Sequence, residues 1–102
     1  MAGMINFVAF RLKNDATYET RREQLIDSVR ENAIAKWWPP LTSVIVFPCN
    51  LQPRELAARL KPAINERTDL LVVGSLTHKE FVIIGDHEDD DIYEFCDFAK
   101  RG

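Results

Sequence analysis

Four basic residues stand close together near the start of the chain and carry the charge needed to bind phosphate groups: Arg11, Lys13, Arg21 and Arg22. We expect them at the end of a first strand and the start of a first helix, where exposed backbone amides also attract anions. The same residues fit ordinary solvated charges balanced by Glu19, Glu23 and Asp27. The net charge of -3 and the lack of interleaved aromatic residues favour this second interpretation. Binding of nucleic acid by the four residues is thus the less favoured of two open interpretations.

Acidic and histidine side chains offer few sets that could hold a metal ion or catalyse a reaction. Asp86, His87 and Glu88 are potential ligands, but consecutive residues on an extended segment point to alternating sides and do not converge easily. His78 and His87 lack an evident base-and-orienter pair, so neither is predicted to be catalytic. The scattered glycines form no phosphate-binding loop. The residues alone therefore indicate no cofactor.

The elements that would position these residues follow from apolar spacing and turn residues. Residues 4–12 are rich in strand formers and end at a turn, and residues 18–33 show helical spacing after a capping Thr17. Residues 41–47 predict a β-branched strand that Pro48 closes.

The second half of the chain continues the alternation of helices and strands. A helix is expected from Pro53, bent or ended early by Pro62, and residues 69–76 and 80–85 predict a hairpin. A short amphipathic C-terminal helix is then expected, with Lys100-Arg101 at its end. Four residues lie on its apolar face: Ile92, Phe95, Cys96 and Ala99. This order predicts an α+β domain over residues 1–102, with two helices on one face of a mainly antiparallel sheet.

The uncovered sheet face must meet water or a partner, and apolar strands such as residues 70–73 favour a partner. A chain of 102 residues also gains stability by pairing with a second copy, so we expect a homodimer. Trp37 and Trp38, which precede two prolines, could stack on bases, but packing in the core and at the dimer contact is the favoured role.

The cysteines and the lengths of the apolar runs indicate the cellular compartment in which we expect the protein. Cys49 and Cys96 lie far apart and outside any metal-ligand spacing, so we predict buried thiols in a reducing compartment. The apolar runs are far shorter than the roughly 20 residues that span a bilayer. Residues 1–6 lack the features of a secretory signal. We therefore expect a cytoplasmic protein with no membrane partner.

Several short motifs occur together between residues 4 and 76: residues 10–13 (FRLK), Tyr18, Trp37-Trp38, residues 42–46 (TSVIV), residues 60–62 (LKP) and residues 69–73 (DLLVV). Together they resemble small stand-alone bacterial proteins related to CRISPR-associated protein 2 and to virulence-associated protein D toxins. The resemblance implies a ferredoxin-like two-layer protomer and a homodimer built through the sheets. It also implies, in some relatives, a metal-dependent nuclease or a nucleic-acid-binding scaffold, although a shared fold does not carry activity with it.

Arg11 sets this chain apart from the catalytic relatives. The resemblance implies an aspartate near the end of the first strand that meets its twin across the dimer axis and holds a magnesium ion, and Arg11 stands at the matching position. A guanidinium is permanently positive and does not bind magnesium. Asp15, four residues later, is the candidate catalytic residue and metal ligand if the chain is a nuclease.

Three functions follow as hypotheses. The first is a homodimeric module similar to CRISPR-associated protein 2, non-catalytic or weakly catalytic, that binds RNA, DNA or a protein partner. The second is a magnesium-dependent endoribonuclease or deoxyribonuclease, such as a toxin, that uses Asp15. The third is a sensor of a small metabolite, for which the sequence offers no specific residue.

Overall fold

The computed structural model describes residues 4–37, 43–85, 87 and 89–102. Its elements run in the order β1 (Met4–Arg11), α1 (Tyr18–Asn32), β2 (Val44–Cys49), α2 (Pro53–Leu60), β3 (Leu70–Ser75), β4 (Phe81–Gly85), α3 (Ile92–Phe95) and β5 (Ala99–Arg101). A short 3-10 turn, Lys61–Ala63, follows α2 at the predicted position of Pro62. No helix among the described residues is long and apolar enough to cross a bilayer.

One five-stranded sheet, in the order β2-β1-β3-β4-β5, organises the chain. The pairings β1 with β2, β1 with β3 and β3 with β4 are antiparallel, whereas β5 joins β4 in parallel. The α+β class, the mainly antiparallel sheet and the β3–β4 hairpin are therefore confirmed. The arrangement is compatible with a ferredoxin-like sandwich.

The main core lies between one face of this sheet and helices α1 and α2. Alternate strand residues point into it, such as Val8 of β1, Val73 of β3 and Val82 of β4, which pair across the sheet. Leu25 of α1 and Leu56 of α2 are fully buried against them. The period-two alternation of each strand thus places both helices on the same face.

The opposite face of the sheet is covered in part by the end of the chain. Ile83, Cys96 and Ala99 form a second buried cluster there, with α3 packed around it. Toward β1 and β2, apolar side chains stay partly exposed and form what we term the open strip: Ile5, Phe7, Ala9, Val44 and Val46.

Gly74 keeps the boundary between the covered and open halves of this face closely packed. The rings of Phe7 and Phe81 meet edge to face across it, with centroids 5.6 Å apart. A Cβ on Gly74 would come within 2.5 Å of both rings, so the contact requires glycine.

Two sequence-based expectations need correction. The C-terminal helix is only Ile92–Phe95, and Ala99 and Lys100-Arg101 belong to β5. Backbone hydrogen bonds from Phe81 N–H to Phe98 and from Gly102 N–H to Ile83 hold this segment to β4, so an unpaired strand edge outweighed the helical pattern. Strand β2 also continues through Pro48, which is tolerated because β2 is an edge strand.

Both cysteines are buried free thiols, as predicted. Cys49 lies in the main core, whereas Cys96 lies in the second cluster on the other side of the sheet.

Candidate functional site

A buried carboxylate, Asp69, lies immediately before β3 and is fully shielded from solvent. Its Oδ1 accepts a hydrogen bond of 2.8 Å from the backbone N–H of Lys13. Its Oδ2 accepts one of 2.8 Å from the N–H of Asn65. Both oxygens also face Arg21, whose Nε and Nη2 donate at 3.1 and 3.0 Å. The end of β1, α1 and the turn before β3 thus converge on one carboxyl group.

Arg21 extends the network toward the surface. Its Nη1 donates to Oδ1 of Asp15 at 2.9 Å and to Oγ1 of Thr17 at 2.6 Å, and its Nη2 donates to the carbonyl of Lys13 at 3.0 Å. Only 12% of its side chain is exposed. The guanidinium of Arg21 therefore has a structural role, because it links the buried Asp69 to Asp15 and Thr17 at the surface.

The pKa values of the network follow from these contacts. Burial alone would raise the pKa of Asp69, but hydrogen bonds from Arg21, Asn65 and Lys13 and the charge of Arg21 outweigh it and hold that pKa at about 2. The hydrogen bonds that Arg21 donates to Asp69 are the main cause that raises the pKa of Arg21. The hydroxyl and N–H of Thr17 lower the pKa of the exposed Asp15.

Asp15, the predicted metal ligand, braces the turn before α1. Its Oδ1 accepts hydrogen bonds from the N–H and hydroxyl of Thr17, both at 2.9 Å, in addition to the one from Arg21. These donors occupy an oxygen that a cation would otherwise need. A magnesium-binding role for Asp15 stays a prediction.

A cleft of about 800 Å³ opens on the same side of the sheet as the open strip, beside α3. Its floor is apolar and consists of Leu70, Val72 and Ile83. The cleft is bordered by Arg11, at the end of β1, and by Arg67, in the turn before β3. The two guanidinium groups have no hydrogen-bond or ion-pair partner within the described part of the chain.

The part of the cleft wall formed by α3 and the residues before it carries an aromatic ring and two acids. Phe95 of α3 is 77% exposed, which is unusual for so large an apolar side chain. Asp89 and Asp91 line the same wall, and no ion pair joins them to Arg11 or Arg67 in the described structure. The cleft thus combines an apolar floor, an exposed aromatic ring and two arginines with which no described residue pairs.

Hydrogen bonds around His87 hold this wall on the sheet. The ring contacts the carbonyl of Gly85 through Nδ1 and the hydroxyl of Tyr93 through Nε2, each at 3.1 Å. Arg101 of β5 donates to Asp90 at 2.7 Å and stacks over Tyr93. The position of Phe95 therefore depends on contacts made by both β4 and β5.

The other predicted site residues are dispersed. Lys13 is exposed, and Arg22 is partly exposed. Trp37 packs against the main core and lies 5.3 Å from the guanidinium of Arg30, whereas Trp38 lies outside the described residues. Of the four basic residues, Arg11 alone lines the cleft, and Arg21 is held in the network.

No set of three His, Cys, Asp or Glu side chains that could hold a metal ion is found in the described ranges. Asp86, His87 and Glu88 are predicted not to converge on a metal ion. The structure describes only His87 of the three, so this prediction lies outside the described residues. His78 is exposed in the β3–β4 hairpin. Sequence reasoning assigned Arg67 no role and placed Phe95 on the apolar face of a helix, because each reaches the cleft only through pairing of distant strands.

Comparison of the chain with models of protein families, with curated proteins and with solved structures finds no match.

The Asp69 network predicts a stability that depends on pH. The pKa of Asp69 is lowered from 3.8 to about 2, so its contribution is present above pH 4 and declines as the pH falls toward 2. We expect the free energy of unfolding to fall by about 2 kcal/mol over this range from Asp69 alone. Urea unfolding of the protein and of Asp69→Asn at a series of pH values measures this contribution.

The variant should be destabilised by about 2–4 kcal/mol at pH 7 and should lack this part of the acid slope. Asp27→Asn, which removes an exposed carboxylate 3.5 Å from Arg30, is the matched control and should change little. Equal acid slopes for Asp69→Asn and the unmodified protein would contradict the assignment.

Proposed function

We propose that this chain is a homodimeric, non-catalytic module that binds a single strand of nucleic acid in the cleft. The observation that carries the proposal is that Arg11 and Arg67, whose guanidinium groups have no partner among the described residues, line the same cleft as the exposed ring of Phe95. Sites for single strands combine cations that follow the phosphates with aromatic rings on which bases stack.

The chemistry of the cleft favours a single strand over a duplex. Bases in a duplex are already stacked and paired, so Phe95 would have no free base face to contact. On an unpaired strand, a base stacked on Phe95 would also lie over the apolar floor at Leu70 and Val72. Stacking of this kind contributes about 1–3 kcal/mol for each base.

The acids of the cleft would orient the strand. Asp89 and Asp91 repel phosphates, so the backbone would run on the side of Arg11 and Arg67 with its bases toward α3. Carboxylates also accept hydrogen bonds from the exocyclic amino groups of bases, as they do from cytosine. The mixed charge of the cleft is therefore compatible with binding despite the net charge of -3.

The open strip supports the homodimer. It is a row of uncharged side chains beside the cleft, so a second copy related by a two-fold axis could pack against it without opposing like charges. A stable interface covers about 800 Å² on each partner, with the most apolar residues at its centre. The strip would supply that centre, and a dimer built through the sheets is also what the resemblance to CRISPR-associated protein 2 implies.

Binding predicts a specific response to substitution in the cleft. We expect Arg11→Ala and Arg67→Ala each to weaken binding of a labelled RNA or DNA single strand about tenfold, because each removes a charge-assisted contact. The magnitude of the slope of log affinity against log salt should fall by about 0.7 for each variant, the value for one phosphate contact on a single strand. Fluorescence anisotropy at several salt concentrations measures both quantities.

Three comparisons sharpen this experiment. Phe95→Leu, which retains an apolar side chain without a stacking face, should weaken binding, whereas Lys36→Ala removes an exposed cation elsewhere and should not. Equal effects of Lys36→Ala and Arg11→Ala would reject the cleft as the site. Cleavage that requires magnesium and is lost in Asp15→Ala would instead favour the endonuclease.

The homodimer predicts that a charge in the open strip separates the subunits. Val46→Lys would bury one lysine from each subunit in the interface, so we expect the dimer dissociation constant to rise about a hundredfold. Light scattering after size-exclusion chromatography measures the oligomeric state, and circular dichroism checks that the fold remains. Gln24→Lys, on the exposed side of α1, is the control and should remain dimeric. A monomeric unmodified protein at high concentration would refute the dimer.

A further inference from the structure

A second concave site lies on the other side of the sheet from the cleft, between α2 and the strands β4 and β5. It is a cavity of about 230 Å³. Ala57 and Ala58 of α2 and Val82 and Ile84 of β4 give it apolar walls. Because Val82 and Ile84 point to the helix-covered face, this cavity is separated from the cleft by the sheet itself.

Positive charge is concentrated around this cavity although the chain as a whole is acidic. Among the described residues that line the cavity, Glu80 is the single acidic side chain, against four basic residues: Arg54, Lys61, Lys100 and Arg101. Such an excess in a small volume produces a local positive potential that favours an anion.

The four cations differ in how free they are. Arg101 is engaged with Asp90 and Tyr93, and Lys61 has an exposed partner, Glu66, at 3.5 Å. Arg54 and Lys100 have no side-chain partner among residues 4–37, 43–85, 87 and 89–102. Two fully available cations and one weakly paired lysine therefore border the cavity.

The volume limits the ligand to a compact molecule. A water molecule occupies about 30 Å³ in the liquid, so 230 Å³ corresponds to the volume of about eight water molecules. This is below the range of roughly 300–1,000 Å³ typical of drug-sized ligands. A phosphate group with a short carbon chain fits this size.

We propose that this cavity binds a compact phosphate dianion. Lysines at a phosphate act as point charges and arginine adds a planar fork of donors, a combination that suits the tetrahedral oxygens. The group could come from a small phosphate monoester or from the terminal phosphate of a nucleic acid strand. The site goes beyond the proposed strand-binding cleft and does not depend on it.

Calorimetric titration with glycerol 3-phosphate, beside inorganic phosphate and uncharged glycerol, tests the proposal. We expect both phosphates to bind and glycerol not to bind. Affinity for glycerol 3-phosphate should fall about tenfold between pH 7.5 and pH 5, because the second pKa of a phosphate monoester lies near 6 and the dianion is lost.

Substitutions that remove a positive charge and one that removes a negative charge distinguish a specific site from general electrostatic attraction. Arg54→Ala and Lys100→Ala should each weaken binding about tenfold. Glu80→Gln removes the one repelling carboxylate and should strengthen binding, an effect that loss of structure would not produce. Lys36→Ala, an exposed cation outside the cavity, is the matched control and should leave the affinity unchanged.

The remaining outcomes either overturn the phosphate site or identify the source of its phosphate group. No binding of either phosphate by the unmodified protein and by Glu80→Gln overturns the proposal, as does equal weakening by Lys36→Ala. Tighter binding of a 5′-phosphorylated strand than of the same strand without the phosphate, lost in Lys100→Ala, identifies the nucleic-acid source. Binding of glycerol 3-phosphate with no such difference identifies the metabolite source. Strand binding through Arg11 is measured separately, so either proposal can fail alone.

Discussion

The ion pair between Asp69 and Arg21 is the contact on which the candidate site depends. A carboxylate removed from water is costly unless its oxygens are satisfied, and here Arg21 and the backbone N–H groups of Lys13 and Asn65 satisfy them. The same carboxyl group therefore fixes three separate parts of the chain. Leu70, the next residue, pairs with Arg11, so the geometry of the cleft is set at this point.

The sheet separates two regions of different chemistry. On one face, the cleft offers an exposed ring, two acids and two arginines without a partner in the described part of the chain, above an apolar floor. On the helix-covered face, the smaller cavity has an excess of cations and apolar walls. Arg101 contributes to both sides, because it lines the cavity and also holds Asp90 near the wall of the cleft.

Local patterns in the sequence were sufficient for most of the fold. Strand alternation around Val8, helical spacing around Leu25 and the prolines at positions 53 and 62 each act within a few residues, and the structure follows them. The segment after Cys96 did not follow its pattern, because the free edge of β4 offered backbone partners that no local signal reveals. Tertiary pairing decided its conformation.

The candidate site was much less predictable for the same reason. Arg11 was identified from its position in a basic cluster, but Arg21 of that cluster proved to be engaged with a carboxylate far along the chain. Arg67 and Phe95 lie in segments without a recognisable motif, and they join Arg11 only when β1, β3 and β4 pair. The composition of the cleft therefore depends on the pairing register of distant strands, which residue types alone do not predict.

Pro48 has a consequence for how this protein avoids aggregation. Exposed strand edges with free N–H and carbonyl groups can recruit strands of other molecules and grow into fibrils. In β2, Pro48 has no N–H to offer, and its carbonyl already accepts a hydrogen bond of 3.0 Å from Ile34. The opposite edge is β5, only three residues long. Both margins are thus poor templates for sheet extension, which discourages self-association through the edges.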